Sequence, residues 1–296
     1  MEFLVKKGAR EQSVYLDSHV HFWKLQRGEY SWIAPHNHIL FQDRLPSQLE
    51  PVLEAQGVGG VILVEAASTV EEIEYMLDLA EQYRWIKGVV GGLDLTQESF
   101  EEHYSRFRTK RKFVGIRVNG VKFEQKSEQA RRLLLDRLAL LQRDQFPIDL
   151  LARAHQLPAV LSCLNAVPRL KAVINHLGVP LVKELAMTAW MNDMRSIEAL
   201  PHTMVKLSGM LTQSGGYRPT MLRPYVQYLA RTFRSSRLLF GSDWPVALQG
   251  GTYDEAIRLF EALLPAEWDE TERQAVRCRN GYRFYGIESE EAAASE

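Results

Sequence analysis

The 296-residue chain has few cysteines. The two that it has, Cys163 and Cys278, occur in unrelated contexts. A disulfide framework and a thiolate zinc site both need more cysteines at regular spacing, so the sequence argues against these two classes of protein. Such cysteine usage suits a reducing compartment, and we expect a cytoplasmic location.

Long apolar runs and an excess of one charge are also missing. No uninterrupted apolar stretch approaches the ~20 residues of a membrane span, and the first residues contain no apolar core of the length that a secretory signal requires. The net charge of −1 gives no general attraction to nucleic acid or to an anionic membrane. We therefore expect a small-molecule partner, with neither nucleic acid nor membrane. A homo-oligomer is compatible with the sequence.

The composition is that of a single catalytic domain. Hydrophobic residues make up 46% of the chain, enough for a large core, and α/β barrels of ~200–250 residues commonly form a single domain. We predict one domain over residues 1–296, with an N-terminal arm at 1–12. The Glu/Ala/Ser-rich end, 288–296, is predicted to be a disordered tail.

Extended and helical patterns alternate along the chain. Apolar runs predict strands near 14–19, 60–66, 86–92, 113–118, 147–151, 171–176, 203–208 and 237–243. Amphipathic spacing predicts helices over 70–83, 128–142, 223–232, 253–264 and 271–285. Eight such alternations predict a single (β/α)8 TIM barrel. The alternative is an open doubly wound sheet, but no glycine-rich dinucleotide turn follows the first strand.

Two histidines, His19 and His21, end the first predicted strand. Side chains alternate along a strand, so both imidazoles point to the same side. Together they can bind one metal ion or flank one substrate, although a pair of surface histidines at a strand end has the same spacing.

Two further strands end in polar side chains. Asp243 closes the last apolar run, where Gly241 permits close backbone approach and Pro245 prevents a helix. His176 ends the sixth strand, although a helix cap or turn would also explain such residues. In a barrel, active sites lie at the carboxyl ends of the strands, and closure puts the first and eighth strands side by side. The three histidines and Asp243 would then converge.

The motifs resemble those of the amidohydrolase superfamily. They are Asp17-Ser-His-Val-His-Phe-Trp23, Gly115-Ile-Arg117, Asn175-His-Leu-Gly178, Lys206-Leu-Ser-Gly209 and Phe240-Gly-Ser-Asp-Trp-Pro245. More narrowly, the chain is similar to the sugar-lactonase branch, which includes L-fuconolactonases, L-rhamnonolactonases and pyrone-dicarboxylate lactonases. The resemblance covers nearly the whole chain and implies an amidohydrolase-like barrel.

The resemblance also implies roles for individual residues. It makes Asp243 the general base, with His19, His21 and His176 around the site. Three positions depart from the family pattern: Val118 stands where histidine is frequent, Val179 where lysine is frequent, and Glu65 where glutamine is frequent.

Three imidazoles and a carboxylate can bind zinc or manganese, so His19, His21, His176 and Asp243 are the candidate metal ligands. The fourth strand ends in Arg117 rather than in the carbamylated lysine of binuclear members, so we expect at most one divalent metal. Lactones are already activated esters, so a base and hydrogen-bond donors can suffice without it.

The remaining candidates concern the substrate. We assign catalytic roles to Asp243, His21, His176 and Arg117, and substrate contacts to Trp32, Glu65, Arg117, Lys206 and Trp244. Arg117 can instead pair with Glu65, and Lys206, inside the seventh strand, can pair with an acid in the barrel. Trp32 can equally be a packed anchor of the first loop.

These assignments predict a hydrolase that opens a sugar-acid lactone with water activated by a general base. One alternative is a metal-dependent decarboxylase or amide hydrolase of the same superfamily. Another is a barrel that only binds, against which the retained histidines and Asp243 argue. The sequence leaves the stereochemistry and ring size of the lactone undetermined.

Overall fold

The computed structural model describes residues 15–184 and 187–288. The predicted N-terminal arm, 1–12, and all of the predicted tail except Glu288 lie outside these ranges.

Eight parallel strands form one sheet in the described ranges, and their spatial order follows the sequence. They are β1 (Tyr15–Val20), β2 (Val58–Val64), β3 (Ile86–Gly91), β4 (Phe113–Asn119), β5 (Ile148–Leu151), β6 (Ala172–Ile174), β7 (Thr203–Leu207) and β8 (Leu238–Phe240). A parallel bridge between Val20 and Trp244 brings the chain after β8 back to β1. The predicted (β/α)8 barrel is therefore confirmed, including the neighbouring first and last strands.

Helices follow the strands and cover the outside of the barrel. They are α1 (Pro46–Ala55), α2 (Val70–Gln82), α3 (Phe100–Phe107), α4 (Glu128–Arg143), α5 (Leu157–Ala166), α6 (Thr188–Glu198), α7 (Met210–Ser214), α8 (Pro219–Phe233), α9 (Tyr253–Leu263), α10 (Glu270–Gln274) and α11 (Asn280–Tyr285). A π-helical turn, Ala275–Arg279, joins the last two, which together match the predicted helix 271–285. No helix in the described ranges is both long and apolar enough to cross a bilayer.

Side chains that alternate along the strands divide the core into two parts. The larger part lies between the strands and the surrounding helices, while the smaller part includes Leu16, Val173 and Leu239 on three of the strands. Phe284 and Tyr285 of α11 pack against this smaller cluster. The last helix therefore contributes directly to the packing of the barrel strands.

Two strands are three or more residues shorter than predicted. β6 ends at Ile174 and β8 at Phe240, whereas the patterns predicted strands to residues 176 and 243. The backbone leaves the extended conformation because His176 and Asp243 have φ angles of 54° and 65°. Both functional candidates therefore lie in the loops just beyond their strands.

Candidate active site

The four polar residues predicted at three separate strand ends meet at the mouth of the barrel. Asp243 Oδ1 lies 3.7 Å from His19 Nε2, 3.4 Å from His21 Nε2 and 3.9 Å from His176 Nε2. All four residues are buried. We refer to these four residues as the His–Asp cluster.

Hydrogen bonds between the ends of β1 and β8 fix the position of His19 relative to Asp243. Asp17 Oδ1 accepts the backbone N–H groups of His19 at 3.1 Å and Ser242 at 2.9 Å. Its Oδ2 accepts the Tyr253 hydroxyl at 2.9 Å. The Asp243 N–H donates to the carbonyl of His19 at 2.9 Å. One buried carboxylate thus joins both strand ends, so the separation between His19 and Asp243 does not depend on a flexible loop.

Gly241 makes the close approach of these strands possible, as its position in the sequence predicted. A Cβ atom at this residue would lie 2.9 Å from His19 Cβ and 3.0 Å from Ser208 Cβ. Contacts of this length force a neighbour to move, so a larger residue would push β8 away from β1 and β7.

The loop after β6 presents His176 in an unusual backbone conformation. His176, Leu177 and Val179 all have positive φ angles, which a β-branched valine rarely adopts. Ser208 Oγ lies 2.9 Å from His176 Nδ1 and accepts the His176 N–H at 3.3 Å. Gly209 leaves room for the ring, because a Cβ there would lie 2.8 Å from Nδ1. Strain of this kind is commonly retained where it positions a functional side chain.

Two imidazoles of the cluster, those of His19 and His176, are held neutral at physiological pH. Burial lowers the pKa of His19 well below its usual value, and the nearby positive charge of Lys206 lowers it further. Burial also lowers the pKa of His176 to about 4, although the Asp243 carboxylate opposes this shift. Neutral imidazoles can coordinate a metal or exchange hydrogen bonds with a substrate.

Lys206 lies inside the barrel next to His19. Its Nζ is 2.5 Å from Asp149 Oδ2, 2.6 Å from the carbonyl oxygen of Ser18 and 3.3 Å from His19 Nδ1. The predicted pairing with a barrel acid is confirmed, and the acid is Asp149. Lys206 is fully buried and does not line the cavity, so the predicted substrate contact does not fit this position. Its contacts suit a support for His19.

The cluster has donor atoms that fit one divalent ion. His19, His21 and Asp243 each offer one ligand atom, and these atoms lie within 4.8 Å of one another. His21 Nδ1 donates to the carbonyl of Val64 at 2.8 Å, which leaves the lone pair of Nε2 free. His19 Nε2 is buried without a hydrogen-bond partner among the described residues. Two imidazole nitrogens and a carboxylate oxygen suit zinc or manganese.

A cavity of ≈ 950 Å³ opens above the cluster. Its lining includes Trp32, Glu65 and Arg117, three of the five residues predicted to contact the substrate. Trp244 does not line it. This side chain is buried and packs against Phe22 with ring centroids 5.5 Å apart, so the predicted substrate contact does not fit it.

Two residues that line the cavity donate hydrogen bonds to the backbone just after β2. Arg117 Nη1 donates to the backbone carbonyl of Glu65 at 2.9 Å, and Trp32 Nε1 donates to that of Ala66 at 2.8 Å. Among the described residues, no ion pair joins the Arg117 guanidinium to the Glu65 carboxylate. The predicted alternative was an ion pair between Arg117 and Glu65. The guanidinium instead donates a hydrogen bond to the backbone carbonyl of Glu65.

Sequence reasoning did not identify several residues of this region. Asp149 could have been identified from the sequence for two reasons. It interrupts the apolar run Ile148–Leu151, and the buried Lys206 required a partner. Arg153 lines the cavity from a loop and Gln213 from the short helix α7, and no periodic pattern marks either residue.

Comparison with known proteins gives consistent results. The profile of a family described as Amidohydrolase matches residues 16–287. An L-fucono-1,5-lactonase of Burkholderia multivorans is 32% identical over 289 residues, which cover 92% of this chain and 96% of that protein. An L-fucono-1,5-lactonase of Burkholderia ambifaria is 30% identical over 81% of this chain and 83% of that protein. A crystal structure of an amidohydrolase from B. multivorans with bound zinc aligns with a TM-score of 0.82 and 32% identity, over 93% of this chain and 99% of that one.

Proposed function

This chain belongs to the amidohydrolase family, and we propose that it is a hydrolase that opens the ring of a sugar-acid lactone. The observation that carries the proposal is the Asp243 carboxylate, whose Oδ1 lies within 3.9 Å of three imidazole nitrogens below an open cavity. The two L-fucono-1,5-lactonases, at 30% and 32% identity over most of the chain, support this reaction class.

The reaction needs a base for water and a donor for the carbonyl oxygen. Asp243 accepts a proton as water attacks the ring carbonyl, and negative charge develops on the carbonyl oxygen. Hydrogen-bond donors at His176 and Arg117 stabilise that charge, and His21 Nε2, whose lone pair is free, accepts a hydrogen bond from the attacking water. The bond between the carbonyl carbon and the ring oxygen then breaks, and Asp243 returns its proton to the leaving oxygen. The product is the open-chain hydroxy acid.

A divalent metal suits the same residues. His19, His21, His176 and Asp243 would hold it, and it would supply Lewis acidity to the site. β4 presents Arg117 and contains no lysine that could be carbamylated to bridge two ions. We therefore propose at most one ion, zinc or manganese, and a reaction that proceeds without it.

The wider assignments follow from this role. The partner is a small sugar lactone bound in the cavity, with Trp32, Glu65 and Arg117 in contact with it. The chain has only two cysteines, Cys163 and Cys278, in unrelated contexts, which supports a cytoplasmic location.

The test is a panel of 1,4- and 1,5-aldonolactones in weak buffer with a pH indicator, with and without a chelator. Acid release above the spontaneous rate is expected for at least one sugar lactone, and it should persist after chelation. The Asp243→Asn protein is the matched blank. If no lactone is hydrolysed faster by the wild type than by this blank, the proposed function is wrong.

A further inference from the structure

We propose that Glu65 determines which lactones this site accepts. Its carboxylate receives hydroxyl groups of a neutral, polyhydroxylated lactone and repels lactones that carry a carboxylate substituent. This inference rests on the proposed lactonase function and names the chemistry of the substrate.

The backbone of Glu65 is held rigidly at the end of β2. Its N–H donates to the carbonyl of Val90 at 2.9 Å, which extends the ladder between β2 and β3 by one residue. Its own carbonyl accepts Arg117 Nη1 at 2.9 Å. The side chain therefore leaves from a fixed point on the cavity wall rather than from a mobile loop, and a fixed acceptor can select among substrates.

Space for the carboxylate is created by a glycine just after the next strand, β3. A Cβ atom at Gly92 would lie 2.5 Å from Glu65 Oε2 and 2.7 Å from Ser68 Cα. No larger residue fits there without moving the carboxylate or the backbone. The arrangement thus accommodates a carboxylate at this position on the cavity wall.

The Glu65 carboxylate can accept more hydrogen bonds than the protein donates to it. Ser68 Oγ lies 2.9 Å from Oε2 and 3.1 Å from Oε1, and its single proton serves one of them at a time. An ionised carboxylate offers about four acceptor sites. Glu65 is only 7% exposed, and a buried polar group without enough partners is costly. Since Glu65 lines the cavity, the missing donors can come from a molecule bound there.

Hydroxyl groups are the donors that match this site. Two neighbouring hydroxyls of a sugar ring can each donate to one oxygen of a carboxylate, and a sugar-acid lactone carries several. An anionic substituent would instead meet the negative charge of Glu65. The guanidinium of Arg117 is directed to the backbone carbonyl rather than to the carboxylate, so among the described residues no cation is paired with that charge.

The experiment compares three lactones of one ring size: a 1,5-aldonolactone, δ-valerolactone without hydroxyls, and a δ-lactone that bears a carboxylate. Glu65→Gln keeps the size of the side chain and removes its charge and one acceptor. We expect kcat/KM for the aldonolactone to fall at least tenfold, mostly through KM, with less than threefold change for δ-valerolactone. Turnover of the carboxylate-bearing lactone should rise relative to both.

Two further variants separate the effects. Ser68→Ala leaves the charge in place and removes only the hydrogen bond to it, so the anionic lactone should remain excluded. Glu65→Asp keeps the charge but moves it back from the cavity, because the side chain is one methylene group shorter. The preference for the aldonolactone should therefore fall while the anionic lactone remains excluded. This second variant also provides the answer should Glu65→Gln not fold, as judged by circular dichroism.

The outcomes distinguish this inference from the proposed function. If the wild type hydrolyses the aldonolactone and Glu65→Gln lowers all three substrates equally, or none, the role of Glu65 is wrong while the lactonase function stands. If the wild type hydrolyses no lactone, the proposed function fails, and this inference fails with it.

Discussion

The His–Asp cluster and the first loop, residues 24–45, face the same mouth but are held very differently. In the cluster, His19 is fully buried and Asp243 is 5% exposed, and backbone hydrogen bonds tie both to the barrel seam. In the first loop, Trp32 is 48% exposed and Phe41 is 42% exposed. A reacting group requires a fixed geometry, whereas a surface that covers the substrate tolerates variation. We therefore expect changes in the cluster to affect kcat and changes in the loop to affect KM.

The largest effect should come from Asp243→Asn within the cluster. The substitution keeps the shape and removes the basicity, so kcat on a hydrolysed lactone should fall by roughly 10²–10⁴-fold. KM should change little, since asparagine keeps the shape of this part of the cavity lining. Stopped assays of product acid measure this, with circular dichroism as the control for folding. Near-full activity at neutral pH would mean that a histidine is the base.

Lys206→Met tests the support below the cluster. The variant leaves Asp149 buried without its cation, and breaking such a pair costs about 3–5 kcal/mol in the free energy of unfolding. Urea denaturation measures the loss. The double variant Lys206→Met/Asp149→Asn should recover much of it, because an amide is neutral and its oxygen can still accept from Tyr285, now 2.8 Å from the carboxylate. A single variant as stable as the wild type would contradict a structural role for the pair.

Glu72→Gln tests how the first loop is anchored. Glu72 Oε2 accepts the Tyr30 hydroxyl at 2.8 Å, and Oε1 accepts the Ala66 N–H at 3.2 Å. Burial raises the pKa of Glu72 from 4.5 to about 7. The folded state therefore keeps a proton that the unfolded chain releases, so the stabilisation by this proton is complete below pH 4.5 and declines as the pH rises to about 7.

The free energy of unfolding of the Glu72→Gln variant should not show this decline as the pH rises. Between pH 4.5 and pH 8 its free energy of unfolding should gain about 1–3 kcal/mol relative to the wild type. Thermal or urea unfolding at several pH values measures the difference. Glu74→Gln, an exposed change on the same helix, is the matched control. A constant difference across this pH range would be inconsistent with a proton held by Glu72.

The smallest effect is expected from Trp32→Ala in the first loop. Loss of an aromatic face is typically worth about 0.5–1.5 kcal/mol, which corresponds to a roughly 2–10-fold rise in KM. kcat should stay within about twofold, since Trp32 contacts the wall and not the cluster. Trp32→Phe keeps a ring but loses the hydrogen bond to Ala66, so it separates stacking from anchoring. A fall in kcat similar to that of Asp243→Asn would erase the distinction between the two regions.

Much of the fold was predictable because its signals are local. The apolar run Val61–Val64 reads as a strand buried on both faces, and β2 includes it. The spacing over 70–83 matches α2, which ends one residue earlier. The ends of β6 and β8 were predicted less well, because positive φ angles at His176 and Asp243 end the extended backbone without a glycine or proline at those positions to mark it.

The sequence by itself determined the order of strands and helices and the residues His19, His21, His176 and Asp243 at the strand ends. Those features depend on periodicity and on residue type, which a chain carries locally. Only the tertiary structure decided that Lys206 supports His19 instead of facing the cavity, that Trp244 is packed away, and that Arg117 binds the backbone of Glu65. These contacts join residues far apart in the chain, and whether a side chain points into the cavity depends on barrel closure and on how deep in the barrel it lies.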